Sequence, residues 1–179
     1  LLGKVGTTLP GPANFVLQNP ITRFVMDKFV GLSSSRPLPL YASERFERWF
    51  RNRTQSGAKR NRGRVWLWND CSVNYYEPEI GRAAVCVLEA AGYEVALLDG
   101  AVCCGRPAFS VGLLDTAKRF GGHNVRSFLA QASDEPIVFM EPSCYSMFTG
   151  DYAELRVPGA DRLAPRCILF ETFLARLME

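Results

Sequence analysis

From residue 64 onward, short apolar runs alternate with longer stretches in which apolar positions recur every three or four residues. "RVWLWND", from Arg64, has the composition of a strand, and so have "YEVALLD", from Tyr93, and "PIVFM", from Pro136. Between the first two, "EPEIGRAAVCVLEAAG" puts Ile80, Ala84, Val87, Leu88 and Ala91 on one helical stripe. Pro78 suits its first turn and Gly92 its stop. "LLDTAKRFGGHNVRSFLAQA" predicts a helix with Leu113, Ala117, Phe120 and Phe128 on one face, weakened locally by Gly121 and Gly122. "SCYSMFTGDYAEL" predicts a short helix, and "CILFETFLARLME" a closing amphipathic helix that begins at Cys167.

Strands alternating with helices predict an α/β fold, a small, open, mostly parallel sheet flanked by helices in Rossmann- or flavodoxin-like layers. Strands that are apolar throughout fit a sheet covered on both faces. Right-handed crossovers then gather the strand C-terminal ends along one edge, where open sheets bind ligands.

Residues 1–60 have a different character, with nearly half of the eleven prolines. "ANFVLQNPITRFVMDKFVG" has helical apolar spacing broken at Pro20. "SERFERWFRNR" offers Ser43 as an N-cap and sets Phe46, Trp49 and Phe50 on one side. "RNRTQSGAKRNRGR" carries six basic residues and no apolar anchor, as a solvated linker does or a docking surface for an acidic partner. The expected organisation is a helical and irregular arm with linker at 1–60 and an α/β cysteine-rich domain at 61–179.

Composition narrows the function. The chain has 179 residues, 47% apolar and 22% charged, as soluble globular proteins do. A net charge of +3 is far short of a nucleic-acid-binding surface, so no nucleic-acid partner is expected. No run of 18 apolar residues occurs, so no transmembrane segment is expected, and the first twenty residues lack the apolar core of a signal peptide. The chain begins without Met, as a piece of a longer protein would. Its single histidine, His123, sits at the edge of the polar face of its helix, with nothing nearby to complete a Ser/His/Asp or Cys/His arrangement. "GRPAFSVG" is neither a dinucleotide fingerprint nor a P-loop.

Cysteine is the informative residue. The six are Cys71, Cys86, Cys103, Cys104, Cys144 and Cys167. An even number permits disulfides, but a chain of this length without a secretory signal points to a reducing compartment, where cysteines are ligands, redox groups or core packing. Cys71 follows the first strand, Cys103 and Cys104 the second, and Cys144 the third. All four therefore belong to one sheet edge. Four converging thiolates suit an iron–sulfur cluster or a zinc ion. Gly105 lets the backbone bend so that two adjacent side chains serve one site. Cys144 lies near a helix N-terminus after Pro142, where thiolate is favoured. Glu141, three residues earlier, is either an oxygen ligand or a solvated charge. Plain burial, or a bond between Cys103 and Cys104, are the competing readings. Cys86 falls off its helical stripe and Cys167 packs at the start of the last helix, so both stay outside the site.

"CCG" followed by "RP", "LLDTAK" and then "EPSC" resembles the CCG cysteine-rich domain. That domain occurs in the iron–sulfur subunits of glycolate oxidase and anaerobic glycerol-3-phosphate dehydrogenase, and in heterodisulfide reductase. The chain is more similar still to the C-terminal part of FAD-linked oxidases of the D-lactate dehydrogenase type. "LWNDCSVNYYEPEIGRAAVCVLEAAGYEV" resembles the start of a first CCG repeat, and "LPGPANFVLQNPITRFVMDKFVG" with "RPLPLYASERFERWF" the segment before it. Cys71, Cys103, Cys104 and Cys144 match four of the five cysteines of the family pattern, and Glu141 stands at the fifth.

The resemblance implies an iron–sulfur, electron-transfer module of a flavin-linked 2-hydroxy-acid dehydrogenase of the D-lactate or glycolate type. The module would pass electrons from FAD towards an acceptor and turn over no substrate alone. Its expected partners are an FAD-binding oxidase domain, which carries the FAD, a ferredoxin-like domain and a second CCG repeat, all of one longer protein. The expected location is the cytoplasm or the inner face of the membrane. The alternative is a structural zinc or thiol domain that positions partner domains, and a third reading is a metal-free docking domain with remnant cysteines.

Overall fold

Four strands form one parallel sheet in the order β2-β1-β3-β4: β1 (Arg64–Leu67), β2 (Glu94–Ala96), β3 (Ile137–Phe139) and β4 (Cys167–Leu169). The computed structural model describes residues 2–54, 61–131 and 133–178. In register, Val65 faces Val95, Trp66 faces Ile137, and Ile137 faces Cys167. The two inner strands are the most apolar. β3 is buried throughout and β1 is buried beyond Arg64, because neither has an edge to offer water. The α/β reading holds, and the sheet is parallel throughout. Its order reverses between β1 and β3, so the connections leaving these two strands diverge at the carboxyl edge.

The chain divides into two compact units. One comprises Leu1–Thr54 with Cys71–Arg82, the other Gln55–Asp70 with Ala83–Glu179. The second unit holds the sheet with α7 (Arg106–Ser110), α8 (Leu114–Leu129), α9 (Pro142–Ser146), α10 (Tyr152–Glu154), α11 (Ala160–Leu163) and α12 (Phe170–Leu177), as numbered along the whole chain. A π-helical turn, Met147–Asp151, joins α9 to α10. The core is aromatic. Phe148 lies 4.8 Å from the rings of both Trp68 and Tyr152 and 5.0 Å from Phe139, centroid to centroid.

The first unit holds α1 (Leu2–Gly6), α2 (Pro10–Gln18), α3 (Pro20–Val30), α4 (Phe46–Asn52) and α5 (Cys71–Tyr75). α6 (Pro78–Ala90) begins in it and ends in the second. The break expected at Pro20 is there: α2 ends at Gln18, Pro20 opens α3, and the Asn19 side chain caps it by accepting from the amides of Ile21 and Thr22. Phe46 is fully buried, with the rings of Trp49 and Phe50 at 5.8 and 6.0 Å.

Four local expectations are corrected. Ser43 does not cap α4, whose N-cap position is Arg45. The amide of Glu47 donates instead to Asn74 Oδ1 at 3.1 Å, a cap supplied from 27 residues away. On α6 the buried stripe runs Gly81, Ala84, Val85 and Leu88, while Ile80 and Val87 are exposed. Glycine and alanine weigh little in a hydrophobic pattern, so the bulkier side chains pull the expected stripe round the helix. On α8 the buried face is Ala117, Gly121, Asn124, Val125 and Phe128, with Leu113 exposed before the helix and Phe120 half-buried. Cys167 begins β4, not the last helix, which starts at Phe170. A three-residue apolar run running straight into a helix has no period of its own to betray it.

Gly121 and Gly122 sit inside α8 without interrupting it. A Cβ on Gly121 would stand 2.7 Å from the Tyr152 ring, so the missing side chain is what lets that ring lie against the helix. Six of the fourteen residues of the expected linker or acidic-partner surface, 55–60, lie outside the described residues, and at its described ends Arg51 pairs with Glu47 at 2.7 Å and Arg64 with Glu94 at 2.8 Å. Among the described residues, no helix is long and apolar enough to cross a membrane.

Candidate metal centre

The loop after β2 carries Cys103 and Cys104. It is pinned from outside. Asn124, fully buried on α8, accepts from the Val102 amide at 3.0 Å and donates to the carbonyls of Val102 and Cys103 at 3.1 and 3.3 Å. One side chain thus satisfies three backbone groups. The buried Tyr152 hydroxyl donates to the Cys104 carbonyl at 2.6 Å. His123 Nε2, facing the Gly100 carbonyl at 2.9 Å, donates to it, since a carbonyl only accepts. The loop leaves through Gly105, whose φ of +91° a side chain would strain, and a Cβ there would meet Ala117 Cα at 3.1 Å.

These pins bring the sulfurs together. Cys104 Sγ lies 3.1 Å from Cys144 Sγ, and both residues are buried. Cys103 is half-buried, and the Gly105 amide donates to its sulfur at 3.5 Å. Hydrogen bonds with the Cys103 and then the Cys144 sulfur, followed by burial, push the Cys104 thiol far above the usual thiol range. Without a metal the cluster is therefore protonated at Cys104, and a metal would bind with release of that proton.

Cys144 is the third residue of α9, near its N-terminus as expected. Glu141 caps this helix, its Oε1 accepting from the Ser143 amide at 3.0 Å. Cys71 is exposed at the start of α5, in the first unit, whereas Cys103, Cys104 and Cys144 share the second. Cys86 is exposed on α6. Cys167 is buried on β4, donates to the Leu163 carbonyl, and has its thiol pushed up to about 12 by burial.

Among the described residues, no three or more His, Cys, Asp or Glu side chains stand ready-spaced around a metal position. The donor set nevertheless fits one. Two thiolates on a tetrahedral zinc ion, with Zn–S of about 2.3 Å, lie roughly 3.8 Å apart, so the Cys104–Cys144 pair needs only a small opening. The Gly105 amide on the Cys103 sulfur is the kind of donor that tunes sulfur-bound metal.

Sequence reasoning does not single out Asn124 or Tyr152. A signal for Asn124 is available, a polar residue within the apolar face of α8. Tyr152 gives none, since its partner lies 48 residues away.

Residues 65–149 match the family described as the CCG cysteine-rich domain. A subunit of the anaerobic glycerol-3-phosphate dehydrogenase of Escherichia coli (strain K12) is 28% identical over 157 residues, 87% of this chain and 39% of that protein. Lactate utilization protein A of Bacillus cytotoxicus is 36% identical over 85 residues, 48% of this chain and 34% of the relative. The same protein of Bacillus cereus (strain AH187) gives the same figures. The chain thus spans less than two fifths of the length of these curated relatives. No solved structure matches it. Together with the Cys103-Cys104-Gly105 loop and its contact with Cys144, this identifies residues 65–149 as a CCG cysteine-rich domain.

Proposed function

We propose that this chain is an iron–sulfur, electron-transfer module of a dehydrogenase. The observation that carries the reading is the meeting of buried Cys104 and Cys144 beside Cys103, on a loop whose backbone is pinned by Asn124 and Tyr152. Cys103, Cys104 and Cys144 would hold the metal, with Cys71 as the fourth ligand and the Gly105 amide on the Cys103 sulfur. A bound cluster would supply a one-electron carrier. The chain's own residues hold the thiols in place, exclude water from two of them, and release the Cys104 proton on loading.

The names of the relatives, a glycerol-3-phosphate dehydrogenase subunit and a lactate utilization protein, support oxidation of a small hydroxylated metabolite. We assign the module to a flavin-linked 2-hydroxy-acid dehydrogenase of the D-lactate or glycolate type. FAD would sit on a partner oxidase domain, and electrons would pass with a ferredoxin-like domain and a second CCG repeat towards the acceptor. In that arrangement residues 1–60 are the arm and linker, and 61–179 the cysteine-rich domain. The cytoplasm, or the inner face of the membrane, keeps such thiols reduced.

A single structural zinc ion is the second reading, favoured by the closeness of the Cys104 and Cys144 sulfurs. Iron, sulfide and zinc content of the chain purified without oxygen separates the two. Iron with sulfide, lost in Cys104→Ala, is the expected result. One zinc per chain turns the assignment to the structural site, and wild-type metal content in Cys104→Ala overturns both.

A further inference from the structure

We infer that Arg106 is a positioning residue of the sulfur site, setting the approach of the Cys103-Cys104 loop to the helix that carries Cys144. The inference rests on the reading of these cysteines as ligands. Arg106 opens α7, two residues after Cys104, and reaches across to residues about 40 positions later. Its Nε donates to the Ser143 carbonyl at 3.3 Å, the carbonyl next to Cys144 in the chain. Its Nη2 donates to Ser146 Oγ and, at 2.6 Å, to Asp151 Oδ2. Ser146 Oγ itself donates to the Ser143 carbonyl at 3.1 Å, which closes the network. The guanidinium also lies over the Phe109 ring, 5.3 Å from its centre.

The π-helical turn explains why Asp151 is available. Ser143 and Ser146 lie on one stripe of α9, and in a regular α-helix position 150 would come next on it. The extra residue of the turn Met147–Asp151 brings position 151 there instead. Carbonyl, hydroxyl and carboxylate then face a single guanidinium. The planar fork serves all three from two separated nitrogens, whereas a lysine ammonium would have to meet them from a single atom. Every one of these partners is on the Cys144 helix or its direct continuation, and the arginine follows the cysteine pair. The network therefore fixes a distance between two ligand-bearing segments, whatever else it adds to the fold.

The test uses the whole chain, purified without oxygen, as wild type, Arg106→Ala, Arg106→Lys and Asp151→Asn. The first readout needs no metal. With chelator present, a small disulfide oxidises Cys104 and Cys144, whose two thiols give up two protons and two electrons while the reagent is reduced to two thiols. Peptide mapping follows the Cys104–Cys144 bond. The second readout is metal bound per chain on titration, and the third is alkylation of buried Cys167, which speeds up only if the unit loosens generally. Arg106→Ala is expected to slow bond formation about tenfold and to weaken metal binding ten- to a hundredfold, as loss of a supporting hydrogen bond does. Cys167 should be unaffected, Arg106→Lys should not restore the rate, and Asp151→Asn should fall between. An unchanged bond-forming rate in Arg106→Ala overturns the inference. If that variant does not fold, an unchanged rate in Asp151→Asn overturns it equally. Slower bond formation in a chain that binds no metal even as wild type would sink the metal reading and leave the positioning role standing.

Discussion

Gly121 and Gly122 are neighbours in one helix, and the structure gives them opposite fates on replacement by alanine. A methyl group on Gly121 would stand 2.7 Å from Tyr152 Cε1, 2.8 Å from Cδ1 and 3.1 Å from Cζ. The ring cannot retreat cheaply. It is fully buried, Phe148 lies 4.8 Å behind it, and its hydroxyl is held by the Cys104 carbonyl at 2.6 Å. On helix propensity alone alanine would gain up to about 1 kcal/mol. Overpacking a full core costs about 1–3 kcal/mol, and a displaced hydroxyl leaves a buried acceptor unpaired at about another 1–3 kcal/mol. Gly121→Ala should therefore destabilise the chain by about 1–5 kcal/mol. At Gly122 a methyl group would meet only Arg126 Nη1, at 3.3 Å, the free end of a flexible side chain. There propensity decides, and Gly122→Ala should be neutral or stabilising by up to about 1 kcal/mol. Urea unfolding followed by circular dichroism measures both, with the slope checked for constancy. A Gly121→Ala midpoint at or above wild type would refute the reasoning, because it would mean that the Tyr152 ring moves without penalty.

Asn124→Ala strands the Val102 amide and two carbonyls, and should cost about 2–4 kcal/mol in the same assay, with faster amide exchange at Val102. An effect under about 0.5 kcal/mol would show that water replaces the side chain. Cys167 supplies a pH test with a definite sign. Its folded value is pushed up to about 12, above the roughly 8.5 of a free thiol, so its contribution is complete below about 8.5 and is lost as pH rises towards 12. Stability should fall less steeply across that window in Cys167→Ala than in wild type, by close to one proton's worth, and equal slopes would contradict the burial of this thiol. At pH 8, maleimide should label Cys71 and Cys86, both exposed, well before Cys167, which mass spectrometry of the labelled peptides would show.

Much of the fold is legible in the residues themselves, and the illegible parts share a physical cause. β1 and β3 stand out because strands buried on both sides carry apolar residues without alternation. β4 does not, because Cys167–Leu169 passes directly into a helix with the same apolar character. The meeting of Cys104 with Cys144 follows from the parallel order, which brings the ends of β2 and β3 to one edge. What holds the meeting in place is hidden. The glycine pair reads as helix weakness until Tyr152 is set beside it, and Asn74 caps α4 in place of a nearer serine. In each case the deciding partner lies tens of residues away, beyond the reach of any local pattern.

The π-helical turn has a consequence for the length of the chain. Gly150 is exposed, and nothing lies within 4 Å of where its Cβ would stand. Deleting it would remove no packed side chain and no charge. The helix would close into α register with Asp151 still towards Arg106 and Tyr152 still towards the Cys104 carbonyl, because the residue removed is the one the π turn holds in excess. Beside its sulfur site the chain thus carries a place where it can lose one codon without losing its register, and a homologue one residue shorter there would keep the same contacts.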